Sequence, residues 1–145
     1  MRTIFVLNGP NLNRLGKREP EIYGTQTLDD IAAMVTQHAE KLGFTADVRQ
    51  SNHEGHLIDW LHEAEDSGAA AVIINPGGYS HTSIALHDAV KAIKTPVIEV
   101  HLSDPHTREV FRHIDYIGMA ARQVIKGQGA QGYLLALDAA ARLCE

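Results

Sequence analysis

In the run Pro96–Leu102 (PVIEVHL), Glu99 and His101 interrupt a stretch that is otherwise wholly apolar. Residues two apart on a strand point to the same face. Glu99 can therefore support the His101 imidazole, fixing its tautomer and raising its proton affinity. A carboxylate and a histidine inside such a strand are costly without partners. That sets the pair apart from the other histidines as a functional candidate; the competing reading is a histidine satisfied within the core. Just beyond, His101-Leu102-Ser103 offers backbone N–H groups and a hydroxyl at the strand end. Arg108 and Arg112, four apart, share one face if that stretch is helical, or one of them pairs with an acid.

Two further segments hold chemistry-bearing residues. Asn8–Gly24 exceeds the usual 2–6 residues of a strand-to-helix connection and carries Asn11, Arg14, Lys17, Arg18 and Tyr23. It is either a solvated basic loop or a lid over the sheet edge. Cations beside a tyrosine favour the phenolate, which can act as a general base. In Asn75–Ser83 (NPGGYSHTS), the glycines allow a ligand close to the backbone. Ser80 or Thr82 is positioned to cap the following helix, and the amides at that helix start suit an anion. His81 is read either as a surface residue of the cap region or as part of the site.

These segments gain meaning from the elements around them. Strands are expected at Thr3–Leu7, Thr45–Arg49, Ala70–Ile74, Pro96–Leu102 and around Gln123–Ile125. Helices are expected at Thr27–Leu42, Glu54–Glu65, Thr82–Ile93 and Gly132–Leu143. The short apolar runs fit strands buried on both faces, and the longer stretches carry apolar residues at helical spacing. The alternation predicts an α/β fold: a flavodoxin-like doubly wound five-stranded parallel sheet in three α/β/α layers. Ligands of such sheets bind beyond the carboxyl ends of the strands. That rule selects Asn8–Gly24, Ser51–Gly55, Asn75–Thr82 and Glu99–Arg112.

Composition narrows the function. The chain has 145 residues, 44% hydrophobic and 21% charged, with a formal charge of −5. This suits a single catalytic domain over 1–145 and argues against nucleic acid as a partner. One cysteine, Cys144, leaves no intramolecular disulfide and suggests a reducing compartment. No apolar run approaches a membrane span of roughly 20 residues. The start is not read as a signal peptide, so a cytoplasmic location is expected. There is no Walker loop, no nucleophile elbow and no H-E-x-x-H, and no dinucleotide glycine pattern follows the first strand. A receiver domain wants acids after the first and third strands; Asn8-Gly9 and Asn75-Pro76 stand there instead.

Five stretches together resemble the type II 3-dehydroquinate dehydratase family: Leu7–Asn13 with Arg18–Gly24, Asn75–Ser83, Glu99–Ser103, Arg108–Arg112 and Gly129–Leu137. The likeness spans nearly the whole chain in the family's order. It implies elimination of water from 3-dehydroquinate through an enolate, in aromatic biosynthesis (the shikimate route) or quinate breakdown, with no cofactor and no metal. Tyr23 would be the base, kept ionised by Arg18; Asn11 would stabilise the enolate; His101 would be the acid, oriented by Glu99 with Asn75 nearby. Leu102 and Ser103 would bind the substrate carboxylate, and His81 and Arg112 the ring hydroxyls, with Gly78 among the substrate-binding residues. Asp88 would reach a neighbouring subunit's site, in trimers that assemble into a dodecamer. Three stretches depart from the family pattern: His87 before Asp88, Asp104-Pro105 after Ser103, and Asp115-Tyr-Ile-Gly118 in place of a Ser-Tyr-Ile-Ser type of stretch. Beside the family reading stand an anion-binding module of the same fold, a lyase or isomerase acting on another hydroxy acid, and an assembly protein without activity.

Overall fold

Five parallel strands form one sheet in the order β2-β1-β3-β4-β5: β1 Arg2–Asn8, β2 Phe44–Gln50, β3 Ala71–Asn75, β4 Val97–His101 and β5 Gln123–Lys126. The computed structural model describes every residue except Arg18 and Gly24, and of Pro20 and Tyr23 only the backbone. A single helical turn, α1 (Pro20–Tyr23), precedes the longer helices α2 (Leu28–Lys41), α3 (Glu54–Asp66), α4 (Ile84–Ala92) and α5 (Gln131–Leu143).

Alternation along the strands divides the core into two. Ile4, Val6, Ile73 and Val100 meet α2 and α5 through Ile31, Val35, Tyr133 and Leu137. Phe5, Leu7, Val72 and Ile74 meet α3 and α4 through Leu57, Leu61 and Leu86. This is the expected three-layer doubly wound sheet. β3 and β4 are buried throughout, which explains their continuous apolar reading. The first crossover runs from β1 outward to β2, and the next returns past β1 to β3 on its other side, so the switch point lies between β1 and β3.

Local signals set the helix ends. Thr27 and Asp30 form a reciprocal capping box at the start of α2. At α4 neither Ser80 nor Thr82 caps. Gly77–His81 first closes a 3-10 turn, which moves the helix start to Ile84. Ser83 is the cap, its Oγ accepting from the Leu86 N–H at 2.9 Å. The stretch holding Arg108 and Arg112 is likewise not one helix. It is two short 3-10 turns, Pro105–Thr107 and Val110–Arg112, with extended backbone at Arg108.

The loops that follow β1 and β3 touch. The Gly9 N–H donates to the Asn75 carbonyl at 2.8 Å, and a Cβ on Gly9 would lie 2.6 Å from the Pro76 oxygen. A side chain there cannot be absorbed without parting the two loops. Gly9→Ala should lower stability by roughly 1–3 kcal/mol and weaken ligand binding at the sheet edge, read by thermal unfolding and by titration with a site ligand; an unchanged Tm would mean the loops can separate freely.

Candidate active site

A cavity of about 220 Å³ opens at the carboxyl edge of the sheet. It draws Pro10, Asn11 and Leu12 from the first loop, Asn75, Gly77, Gly78 and His81 from the third, and His101 to Ser103, Pro105, Arg108 and Arg112 from the fourth. Three of the four segments selected by the edge rule thus line it. The other, Ser51–Gly55, stands behind as a support: Asn52 Oδ1 accepts from the Asn11 N–H at 2.9 Å, and its carbonyl accepts from Tyr79 Oη at 2.7 Å.

The first loop is not simply solvated. Leu12 and Leu15 are buried in the core, which anchors the loop where it meets the cavity. Asn11 adopts the left-handed conformation at φ 70°. Asparagine tolerates that region better than most residues, and such local strain persists where the surroundings hold it.

Asn75 is held on both sides of its amide. Its Nδ2 donates to Tyr133 Oη at 3.0 Å, and its Oδ1 accepts from the Gly77 N–H at 3.2 Å. The Tyr133 hydroxyl donates in turn to Asn8 Oδ1 at 2.7 Å. Tyr133 is completely buried, and burial pushes its pKa above the usual phenol range, so the hydroxyl stays protonated as a donor.

His81 Nδ1 lies 2.7 Å from the Ile114 carbonyl. A carbonyl only accepts, so Nδ1 carries the proton and Nε2 of the neutral ring is left as an acceptor. The cavity wall is met here by the Gly77–His81 turn, not by the capped start of α4. Arg108 Nη1 is 3.4 Å from Ser103 Oγ, while Arg112 is paired with Glu109 at 2.8 Å. Two arginines and two histidines around one cavity suit an anionic ligand, against the net negative charge of the whole chain.

His101 sits deepest. Its Nε2 lies 3.1 Å from Glu99 Oε2 and 3.7 Å from Asp115 Oδ2. These are ion-pair distances off the N–H axis, since neither Nε2 nor either Glu99 oxygen makes a directed hydrogen bond. Because Nε2 faces the carboxylates, Nδ1 is the ring nitrogen turned to the cavity. Burial works against the charged imidazole, but Asp115 and then Glu99 outweigh it and raise the pKa to about 9. Glu99 is wholly enclosed, and burial pushes its carboxyl up to about 8. Asp115 is also penalised by burial, yet contact with His101 and Glu99 and the Gly118 amide hold it at about 2. Burial thus favours the proton on Glu99, while contacts favour the negative charge on Asp115 and the positive charge on His101. The three groups lie within 4.8 Å of one another and are of metal-ligand type. Neither carboxylate lines the cavity, and their mutual proton sharing accounts for the cluster.

Residues 2–141 match the family described as Dehydroquinase class II. The chain belongs to the class II dehydroquinases. The 3-dehydroquinate dehydratase of Rhizobium meliloti (strain 1021) is 61% identical over 143 residues, 99% of this chain and 96% of that protein. The type II dehydroquinase of Propionibacterium acnes superposes with a TM-score of 0.94 at 44% identity, covering 98% of this chain and 97% of that one. That of Butyrivibrio crossotus DSM 2876 does so with 0.94 at 40% identity, over 96% and 97%.

In this class II dehydroquinase, nine of the candidate residues singled out in the sequence line the cavity: Asn11, Asn75, Gly78, His81, His101, Leu102, Ser103, Arg108 and Arg112. Glu99 stands behind His101. Asp88 lies outside the cavity on α4, exposed and 2.9 Å from His87. Arg18 and the Tyr23 side chain lie outside the described residues.

Sequence reasoning missed three contributors. Tyr133 entered only as part of the Gly129–Leu137 likeness and the expected last helix, with no role; the signal was a tyrosine whose hydroxyl needs a buried partner. Asp115 stood out only as a departure from the family pattern. The third is Gly127-Gln-Gly129-Ala-Gln-Gly132, which has dinucleotide spacing between β5 and α5. Its amides are already committed, Gly127 N–H to the Ser103 carbonyl at 3.2 Å and Gly129 N–H to the Leu102 carbonyl at 2.9 Å. The motif therefore holds the loop beyond His101 in place.

The raised values fix the sign of a pH effect. Glu99 binds its proton more tightly folded than unfolded, so its stabilising contribution is complete below 4.5 and is lost as pH rises through about 8. His101 acts in the same direction between 6.5 and about 9. The melting temperature should fall over this range, and Glu99→Gln, which mimics the neutral carboxyl, should remove the part below about pH 8. A slope unchanged by that substitution would show that Glu99 is ionised in the native protein.

Proposed function

We propose that residues 1–145 form a single catalytic domain that acts as a type II 3-dehydroquinate dehydratase. The observation that carries this reading is the cavity itself: an imidazole backed by Glu99 and Asp115 faces a pocket lined by Arg108 and Arg112, which supports acid catalysis on an anionic substrate. Family membership supplies the substrate, and the geometry suits its elimination chemistry.

Tyr23, as phenolate, removes the proton from the carbon beside the ketone, and the electron pair moves onto the carbonyl oxygen. Asn11 stabilises that enolate with a bound water, and Arg18 keeps Tyr23 ionised. When the enolate collapses, the new carbon–carbon double bond forms as the bond to the hydroxyl breaks. His101 delivers its proton to that oxygen, which leaves as water. One base and one acid suffice, so neither cofactor nor metal enters. Glu99 orients the imidazole with Asn75 nearby. The amides of Leu102 and Ser103 take the substrate carboxylate, Gly78 lets the ring lie close, and His81 and Arg112 bind its hydroxyls.

Asp88, exposed in the single chain, contributes to a neighbouring subunit's site in trimers that build a dodecamer. The enzyme works in the cytoplasm, in aromatic biosynthesis by the shikimate route or in quinate breakdown. Among the described residues no helix is long and apolar enough to cross a membrane.

The test is an ultraviolet assay for the conjugated enone product, with protein dialysed against chelator. Tyr23→Phe and His101→Ala should each reduce kcat by roughly 10²–10⁴-fold. Because the acid must be protonated, kcat/KM should decline as pH rises through about 9. No turnover by folded wild-type protein would overturn the assignment and favour an anion-binding module or a different hydroxy acid.

A further inference from the structure

We propose that Asp115 is a positioning residue for His101: its carboxylate supplies the negative charge beside the imidazolium, from a pose that the missing side chain of Gly118 leaves open. The inference rests on reading His101 as the general acid.

Asp115 follows the Val110–Arg112 turn and is only partly buried. Its Oδ1 accepts from the Gly118 N–H at 2.9 Å, which leaves Oδ2 facing His101 Nε2 at 3.7 Å. A Cβ on Gly118 would lie 2.6 Å from that same Oδ2 and 3.0 Å from Asp115 Cγ. Gly118 is not among the residues with positive φ. Space for the carboxylate, and not an unusual backbone conformation, is what the glycine provides. Both positions fall in the stretch that departs from the family's Ser-Tyr-Ile-Ser type, and the geometry makes the two departures one device.

Glu99 is nearer, at 3.1 Å, yet it is the weaker candidate for the charge. It is 0% exposed, and neither of its oxygens has a hydrogen-bond partner. Two carboxylates against one imidazolium cannot both ionise cheaply in such a place. The one that touches solvent and is tied to an amide keeps the charge, and the enclosed one keeps the proton. Among the described residues, the other titratable or charged groups facing His101 are His81, Arg108 and Arg112 across the cavity and Lys126 alongside on β5, the last 3.9 Å from Asp104. None of these is an anion, and the arginines and Lys126 oppose protonation of the ring, so its proton affinity depends on the Asp115 carboxylate with Glu99 beside it.

The experiment follows the His101 ring titration by NMR and the alkaline limb of kcat/KM in the full-length wild type, Asp115→Asn and Gly118→Ala. Asparagine keeps an oxygen for the Gly118 N–H but loses the charge. Its His101 midpoint should fall by roughly one pH unit, with the kcat/KM limb moving to lower pH by the same amount. Gly118→Ala should reproduce the shift, because its methyl displaces Oδ2. A His101 midpoint unchanged in both variants overturns the proposal, and one unchanged in Gly118→Ala alone overturns the part given to the glycine. A midpoint that moves while the kcat/KM limb stays fixed supports the charge pairing and overturns the reading of His101 as acid instead.

Discussion

A buried hydroxyl joins the two strands between which the sheet changes direction. Asn8 and Asn75 are register partners at the carboxyl ends of β1 and β3, and the Tyr133 hydroxyl of α5 bonds to both. Neither amide nor hydroxyl has water to fall back on, so each depends on the others. The loops that carry Asn11, Gly78 and His81 start from this junction. An apolar core alone would fill the sheet but would leave the edge without a defined shape.

The parts of the fold written in contiguous residues were legible. Buried parallel strands appear as apolar runs, and α2 announces its start with Thr27 and Asp30. Glu99 and His101 were legible as a pair because a period of two needs only one strand. The start of α4 was misread because the Gly77–His81 turn occupies the residues that would otherwise open the helix. The arginine spacing suggested a helix, whereas two 3-10 turns with an extended link bring Arg108 and Arg112 to the same cavity. Asp115 could not be connected to His101 from spacing, since it lies fourteen positions further along the chain with two 3-10 turns between. Contacts of that kind are written in three dimensions only.

Charge is distributed with the same economy of position. The chain as a whole is acidic, yet the cavity gathers arginines and histidines while its acids stand behind the imidazole and off the wall. An anion entering would meet positive groups first and would not confront the carboxylates that tune His101. Separating the tuning groups from the binding groups lets one ring be strongly basic inside a pocket that attracts negative charge.

The Ile114 carbonyl has a further consequence through His81. By accepting a hydrogen bond from Nδ1–H it fixes the tautomer and leaves the neutral ring with only a lone pair to present at Nε2. Such a wall reads the polarity of a ligand's hydrogen bonds. A hydroxyl placed against it can donate and is accommodated, whereas a carbonyl in the same place would set two lone pairs against each other. A site with a fixed acceptor can therefore distinguish an alcohol from its oxidised counterpart of almost equal size, a discrimination that shape alone would not supply.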